Sequence, residues 1–168
     1  MNRRLPAAAF MCAAMLAGCG LQQELSSVPS LGSGPTGPAT AITAPTLSGE
    51  PFDWSSTHGH VVVLDFWGSW CGPCNAEQPE LNRLGTQWAP KGVLFLGVDE
   101  QESSANGAAY ERHYNVTYPS VNDSSEVIAS EYNVIDPPTV IIIDAKGNIV
   151  DRFLGTLSGV SADLTRLT

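Results

Sequence analysis

The feature that constrains the fold most is an apolar run that leads directly into a pair of cysteines. From Val61 the sequence reads VVVLDFWGSWCGPCNAEQPEL. An apolar run of this length predicts a central strand, ending near Trp67, that is covered on both faces. Cys71 and Cys74 then open a helix, with Pro73 in the first turn, where a missing N–H costs nothing. The chain is therefore expected to build a sheet with helices on both sides.

The rest of the chain alternates strand and helix patterns. The predicted elements are a hairpin over 47–54 with its turn at Gly49, the cysteine helix to about 88, strands over 92–99, 118–123, 139–144 and 149–154, and helices over about 103–114, 124–132 and 160–167. This order predicts an α/β fold, a three-layer sandwich with a mixed β-sheet. With 168 residues the chain is long enough for one such domain.

The first residues carry export and anchoring signals. Two arginines precede an apolar stretch over 5–17, the pattern of a secretory signal peptide. It ends in Leu16-Ala-Gly-Cys19, which resembles the bacterial lipobox and implies cleavage before Cys19 and lipid on that residue; the alternative is an ordinary secretory signal. We therefore predict a signal peptide over 1–18, a lipidated cysteine with a disordered Pro/Gly/Ser-rich tether over 19–45, and a folded domain over 46–168. The expected location is extracytoplasmic, with the lipid in the cell membrane.

The spacing Cys-Gly-Pro-Cys predicts redox chemistry. A cysteine at a helix N-terminus is stabilised as a thiolate by unpaired N–H groups and the helix dipole. A second cysteine one turn later can attack the mixed disulfide that the first one forms. We assign Cys71 as the exposed nucleophile and Cys74 as the buried resolving thiol. The only redox group expected is their disulfide, with no further cofactor and no metal.

Three segments resemble a known family. Residues 65–74, 75–81 and 138–144 are similar to the thioredoxin superfamily and, more narrowly, to the membrane-anchored, extracytoplasmic TlpA/ResA-like thiol–disulfide oxidoreductases. The resemblance covers about Leu47 to Leu167 and implies a thioredoxin-like fold with an N-terminal hairpin. The helix predicted near 103–114 matches the central insertion of this group.

The resemblance also implies partners. They are disulfide-containing protein substrates and, for a reductant of the cytochrome c maturation type, a membrane electron donor. The alternative is an exported oxidant that forms disulfides. We expect a monomer.

A substrate surface follows from the same resemblance. Pro138 corresponds to the cis-proline of the superfamily, which exposes a backbone edge beside the cysteines. Pro137 before it departs from the usual pattern, because it has no N–H to donate. The residues expected to bind substrate are Trp70, Gly72, Pro73, Pro137, Pro138 and Thr139.

Two acids stand near the cysteines. Asp65 matches the buried aspartate of thioredoxin, where ResA-like proteins usually have asparagine, and Glu77 matches the active-site glutamate of the ResA-like group. A carboxyl group buried near Cys74 should have a raised pKa and could exchange a proton with that thiol. The alternatives are a hydrogen-bonded structural acid at position 65 and a solvated helix acid at position 77.

Other functions have weaker support. A formal net charge of −9 argues against nucleic acid as a partner. A zinc site would join the cysteines to His58 and His60, whose spacing is poor; with His113 they are expected at the surface. A peroxidase of the peroxiredoxin kind would have threonine where Gly68 stands, and a redox-inert binding domain would not keep both cysteines.

Overall fold

The computed structural model describes residues 36–168, which form one six-stranded sheet and four α-helices. The strands are β1 (Gly37–Pro38), β2 (Val62–Trp67), β3 (Leu94–Glu100), β4 (Ser120–Asp123), β5 (Thr139–Ile143) and β6 (Asn148–Leu154). The helices are α1 (Gly72–Trp88), α2 (Ser104–Tyr114), α3 (Val127–Glu131) and α4 (Val160–Leu167), with short 3-10 helices at Trp54–Thr57 and Ala89–Lys91. No helix within this part of the chain is long and apolar enough to cross a membrane.

The sheet is mixed, as predicted. Its order is β1-β6-β5-β2-β3-β4. Strands β2, β3 and β4 run parallel to one another, whereas β5 is antiparallel to β2, and β6 to β5. The carboxyl ends of β2, β3, β4 and β6 therefore meet the start of β5 at one edge, called here the upper edge of the sheet.

Apolar clusters cover both faces of the sheet and give the predicted three layers. On one face, Leu81 and Leu84 of α1 pack with Val160 and Leu164 of α4. On the other face, the cluster includes Ile128 of α3. Strand β2 is buried along its whole length, because it lies in the sheet interior with helices on both sides.

The predicted start of the folded domain is wrong. Strand β1 pairs with the beginning of β6, and Ile42 is 1% exposed in the core. The Tyr132 hydroxyl also donates to the Thr40 carbonyl at 2.6 Å. The segment predicted as tether over 36–45 is thus part of the domain, because it satisfies the edge of β6 and fills a core cluster. The signal peptide, Cys19 and the remaining tether over 20–35 lie outside the described residues.

The N-terminal hairpin is shorter than predicted. The Thr46 N–H donates to the Glu50 carbonyl at 2.8 Å, and Gly49 takes a φ of 90° in the turn. One isolated bridge between Pro45 and Pro51 closes it, without regular strands. Proline has no N–H for a ladder, which limits pairing at both positions.

Candidate active site

Cys71 and Cys74 form a disulfide at the start of α1. The two Cα atoms are 5.3 Å apart. Cys71 is the residue immediately before the helix, and its Sγ accepts a hydrogen bond from the Cys74 N–H at 3.2 Å. The same N–H can stabilise a Cys71 thiolate when the disulfide is reduced, because first-turn N–H groups have no partner within the helix.

The predicted exposure of Cys71 is wrong for this disulfide form. Cys71 is 4% exposed and Cys74 is 3% exposed. Both belong to a buried cluster with Leu47, Trp67 and Tyr110. Tyr110 comes from α2 and stacks on the Trp67 ring at a centroid distance of 4.3 Å, so the inserted helix covers the sulfur atoms from behind.

The loop before the disulfide is held by the connection between β3 and α2. Both Glu102 carboxylate oxygens accept from Ser69, one from its N–H and one from its hydroxyl, each at 2.5 Å. The Trp70 indole N–H donates to the Glu100 carbonyl at 3.0 Å. Trp70 nevertheless remains 49% exposed and lies beside Cys71 in the chain. Sequence reasoning did not identify Glu102, because no local pattern links it to a loop 33 residues earlier.

The bond between Pro137 and Pro138 is cis, as the resemblance implied. It leads into β5 at the upper edge of the sheet. The Pro138 carbonyl accepts from the Gly155 N–H at 2.9 Å. Neither proline has an N–H, so a chain that pairs here can donate hydrogen bonds but cannot receive any from these two residues.

Thr139 does not belong to an exposed substrate surface. It is buried, its hydroxyl donates to the Asp136 carbonyl at 2.9 Å, and it pairs with Phe66 in the sheet. Gly72 and Pro73 are exposed, Pro137 is half-buried and Pro138 is buried. Exposed apolar side chains that the sequence did not identify are Ile135, 87% exposed, and Leu154, 57% exposed. Both lie at the upper edge, where β5 begins and β6 ends.

Asp65 lies in the middle of β2 and is 1% exposed. Its Oδ2 accepts from the Tyr118 hydroxyl at 2.8 Å, while Oδ1 has no hydrogen-bond partner among the described residues. Burial raises the pKa of Asp65 from 3.8 to about 7; the Tyr118 hydrogen bond lowers it and the nearby Glu77 charge raises it. Asp65 can therefore hold or release a proton near neutral pH.

Glu77 is half-buried on α1, and burial raises its pKa. The next residue, Gln78, is the one that is fully buried on this helix turn. Its Nε2 donates to the Tyr118 hydroxyl oxygen at 2.9 Å. The sequence identified Glu77 and not Gln78, because only the contact with Tyr118, 40 positions later, distinguishes Gln78 from an ordinary helix residue. Proton transfer by Asp65 and Glu77 stays a prediction.

More buried acids lie at the upper edge. Asp99 and Glu100 end β3 and are buried. Burial raises their pKa values to about 8 and about 7; a hydrogen bond that protonated Asp99 donates to Glu102 adds to the first shift, and the Asp123 charge adds to the second. The sequence analysis singled out neither Asp99 nor Glu100.

The zinc alternative does not fit the geometry. His58 and His60 precede β2, and the cysteines follow its far end. His60 Nδ1 instead lies 2.9 Å from the Gly92 carbonyl oxygen. Within residues 36–168 no group of three metal-binding side chains comes together. His58, His60 and His113 are exposed, as expected.

Comparison with known proteins gives a consistent result. The AhpC/TSA family model matches residues 35–152. The thiol-disulfide oxidoreductase ResA of Geobacillus kaustophilus is 32% identical over 125 residues, which cover 74% of this chain and 71% of that protein. ResA of Bacillus cereus is 31% identical over 109 residues, or 65% of this chain. The chain spans 63% of the length of the Bacillus cereus relative.

A solved structure supports the fold. It is that of a secreted Mycobacterium tuberculosis disulfide oxidoreductase homologous to E. coli DsbE, which is 31% identical and superimposes with a TM-score of 0.67. The match covers 76% of this chain and 96% of the other. The predicted thioredoxin-like fold is confirmed.

The raised pKa of Asp65 predicts a specific dependence of stability on pH. The folded state binds the Asp65 proton up to about pH 7, while the unfolded state releases it near 3.8, so the stability contribution of this group falls as pH rises between these values. Asp65→Asn removes that loss. We expect the variant to gain roughly 3 kcal/mol over wild type between pH 4 and pH 8, measured by urea unfolding at both pH values. An equal difference between the two proteins at both pH values would contradict the assignment.

Proposed function

The chain belongs to the AhpC/TSA family, and on that premise we propose that it is a thiol–disulfide oxidoreductase acting on protein disulfides through Cys71 and Cys74. The observation that carries the proposal is the Cys71–Cys74 disulfide at the N-terminus of α1, with a buried carboxyl group on the strand beneath. The names of the ResA relatives support the same reaction class.

The exchange takes two steps when the protein acts as a reductant. The Cys71 thiolate attacks one sulfur of the substrate disulfide; a mixed disulfide forms and the other substrate sulfur leaves as a thiolate. Cys74 then loses its proton and attacks Cys71 Sγ. The new Cys71–Cys74 bond displaces the second substrate thiolate, so the substrate gains the two electrons that the cysteine pair loses.

Substrate contact is proposed at the upper edge of the sheet. Trp70 offers an exposed ring beside Cys71, and Gly72 and Pro73 leave the first helix turn open. Because the prolines at 137 and 138 lack N–H groups, a bound substrate chain would donate to a backbone carbonyl there rather than accept. Exposed Ile135 and Leu154 would add apolar contact area.

Disulfide exchange can be measured directly. The reduced protein should reduce insulin disulfides; Cys71→Ser should abolish the activity, and Cys74→Ser should accumulate mixed disulfides visible by mass spectrometry. Failure of wild type to exchange with any disulfide would reject the function.

Equilibration with glutathione buffers gives the direction of electron flow. We propose a reductant of the cytochrome c maturation type, supplied by a membrane electron donor. For this role we expect the Cys71–Cys74 pair to have a reduction potential of about −270 mV, whereas a value of about −120 mV would favour the exported oxidant.

The two acids should speed the second step. Asp65→Asn and Glu77→Gln each remove a group able to accept the Cys74 proton, so resolution of a preformed mixed disulfide should slow by about tenfold or more. The Cys71 thiolate should remain largely formed in both variants, which iodoacetamide alkylation measures. A double variant that resolves at the wild-type rate would show that neither acid takes the proton.

We also propose an extracytoplasmic location with lipid on Cys19. The supporting observations are the signal-like N-terminus and the secreted protein among the structural relatives. Labelling of a bacterial host with radioactive palmitate should mark the wild-type protein and not Cys19→Ser; equal labelling would reject the anchor.

A peroxidase is the second function that the AhpC/TSA match raises. Position 68, where that reaction would place threonine, is glycine, and any side chain there would collide with the Trp70 ring. Trp70 is held by Glu100, so the site has no room for the threonine hydroxyl. This contact favours disulfide exchange.

A further inference from the structure

A hydrogen-bond chain leads from the backbone of α2 to the buried carboxyl group in β2. We call it the Tyr118 chain. Its links are Asn82 Nδ2 to the Tyr114 carbonyl at 2.9 Å, Gln78 Nε2 to Asn82 Oδ1 at 3.1 Å, Gln78 Nε2 to the Tyr118 hydroxyl at 2.9 Å, and the Tyr118 hydroxyl to Asp65 Oδ2 at 2.8 Å.

The direction of every link is fixed by the first one. A backbone carbonyl can only accept, so Asn82 must turn its NH₂ group toward Tyr114 and its oxygen toward Gln78. Gln78 must then present its own NH₂ group, which donates to both Asn82 and Tyr118. Since the Tyr118 oxygen faces a donor on that side, its single proton points to Asp65.

This polarity limits where Asp65 can carry a proton. Oδ2 accepts from Tyr118 whether Asp65 is charged or neutral, so an added proton has to reside on Oδ1. That oxygen is buried and has no hydrogen-bond partner among the described residues. Cys74 lies one turn before Gln78 on α1. The Tyr110 hydroxyl connects the two residues, because it lies 3.3 Å from the Cys74 carbonyl oxygen and 3.4 Å from Gln78 Oε1 and can donate to either.

We propose that Tyr118 and Gln78 are positioning residues for Asp65, confining its exchangeable proton to Oδ1 and so setting the pH range in which Cys74 is deprotonated for resolution. The inference rests on the proposed disulfide exchange. It assigns a role to Gln78 and to the tyrosine hydroxyl at position 118.

Other titratable groups also face Asp65. They are Glu77 on α1, Glu100 on β3 and Tyr110 on α2. The Tyr118 chain differs from all of them because it donates a hydrogen bond directly to the Asp65 carboxylate. Removing that donor destabilises the charged form and should raise the pKa of Asp65.

The test is Tyr118→Phe, with Tyr132→Phe as the matched control. Both variants lose the hydroxyl of a buried tyrosine that donates one hydrogen bond, but the Tyr132 hydroxyl donates to the Thr40 carbonyl, and Tyr132 packs in the cluster on the other face of the sheet. Carbon-13 NMR of the Asp65 carboxyl group in the oxidised protein gives its titration midpoint without any substrate. We expect the midpoint to rise by about one pH unit in Tyr118→Phe and to stay at the wild-type value in Tyr132→Phe.

A second variant tests the polarity itself. Asn82 is half-buried, and Asn82→Leu leaves Tyr118 in place but removes the acceptor that orients Gln78. The Gln78 amide can then rotate and offer its oxygen to Tyr118, which would draw the tyrosine proton away from Asp65. The midpoint should rise, by less than in Tyr118→Phe.

The outcomes separate the inference from the function. Midpoints equal to wild type in both Tyr118→Phe and Asn82→Leu would overturn the inference, whatever the turnover. In mixed-disulfide resolution, the pH profile of Tyr118→Phe should shift upward with the carboxyl midpoint; a uniform slowing at all pH values would indicate a merely structural role and would also overturn it. Loss of disulfide exchange in the wild-type protein would instead reject the proposed function.

Discussion

The hydrogen bond between the Tyr118 hydroxyl and Asp65 is the interaction on which the buried side of the site depends. A carboxyl group without contact to water in the sheet interior is costly unless it is hydrogen-bonded or neutral. Here one oxygen is bonded and the other is not. Since burial raises the pKa of Asp65 to about 7, this carboxyl group can be charged or neutral near neutral pH. Tyr118 and Gln78 form the hydrogen bonds next to it.

Helix α2 connects the exposed and the buried parts of the site. Its Tyr110 ring covers the sulfur atoms, and its last residue supplies the carbonyl that orients Asn82. The connection just before α2 carries Glu102, which binds the Ser69 backbone and hydroxyl. Gly107 in α2 lies so close to Asp99 that a Cβ atom would collide with that carboxyl group. A helix that could be regarded as a peripheral insertion thus fixes the loop in front of Cys71 and the network behind Cys74.

The sequence predicted the elements well where local signals are strong. Strand β2, helix α1, the Ser103 cap of α2 and the cis bond before Pro138 follow from apolar runs, capping residues and the family resemblance. Tyr118 and Gln78 could not be predicted, because their roles depend on contacts between residues 40 and 53 positions apart. Composition alone assigns the segment over 36–45 to the tether, because Thr, Ala and Pro dominate it. Its order comes from pairing with β6 and from one buried isoleucine, which composition does not reveal.

The pairing of β1 with the beginning of β6 has a mechanical consequence. Gly37 and Pro38 meet Ile149 and Asn148, at the sheet end remote from the cysteines. The six residues of β2 that separate this end from the cysteine loop span roughly 20 Å at about 3.3 Å per residue. A pulling force on the chain at the N-terminal junction would act first on the hydrogen bonds between β1 and β6, at the end of the sheet opposite to the redox site. The N-terminal junction and the redox site therefore lie at opposite ends of the sheet. Attachment through this junction leaves Trp70 and the disulfide at the end that faces away from the point of attachment.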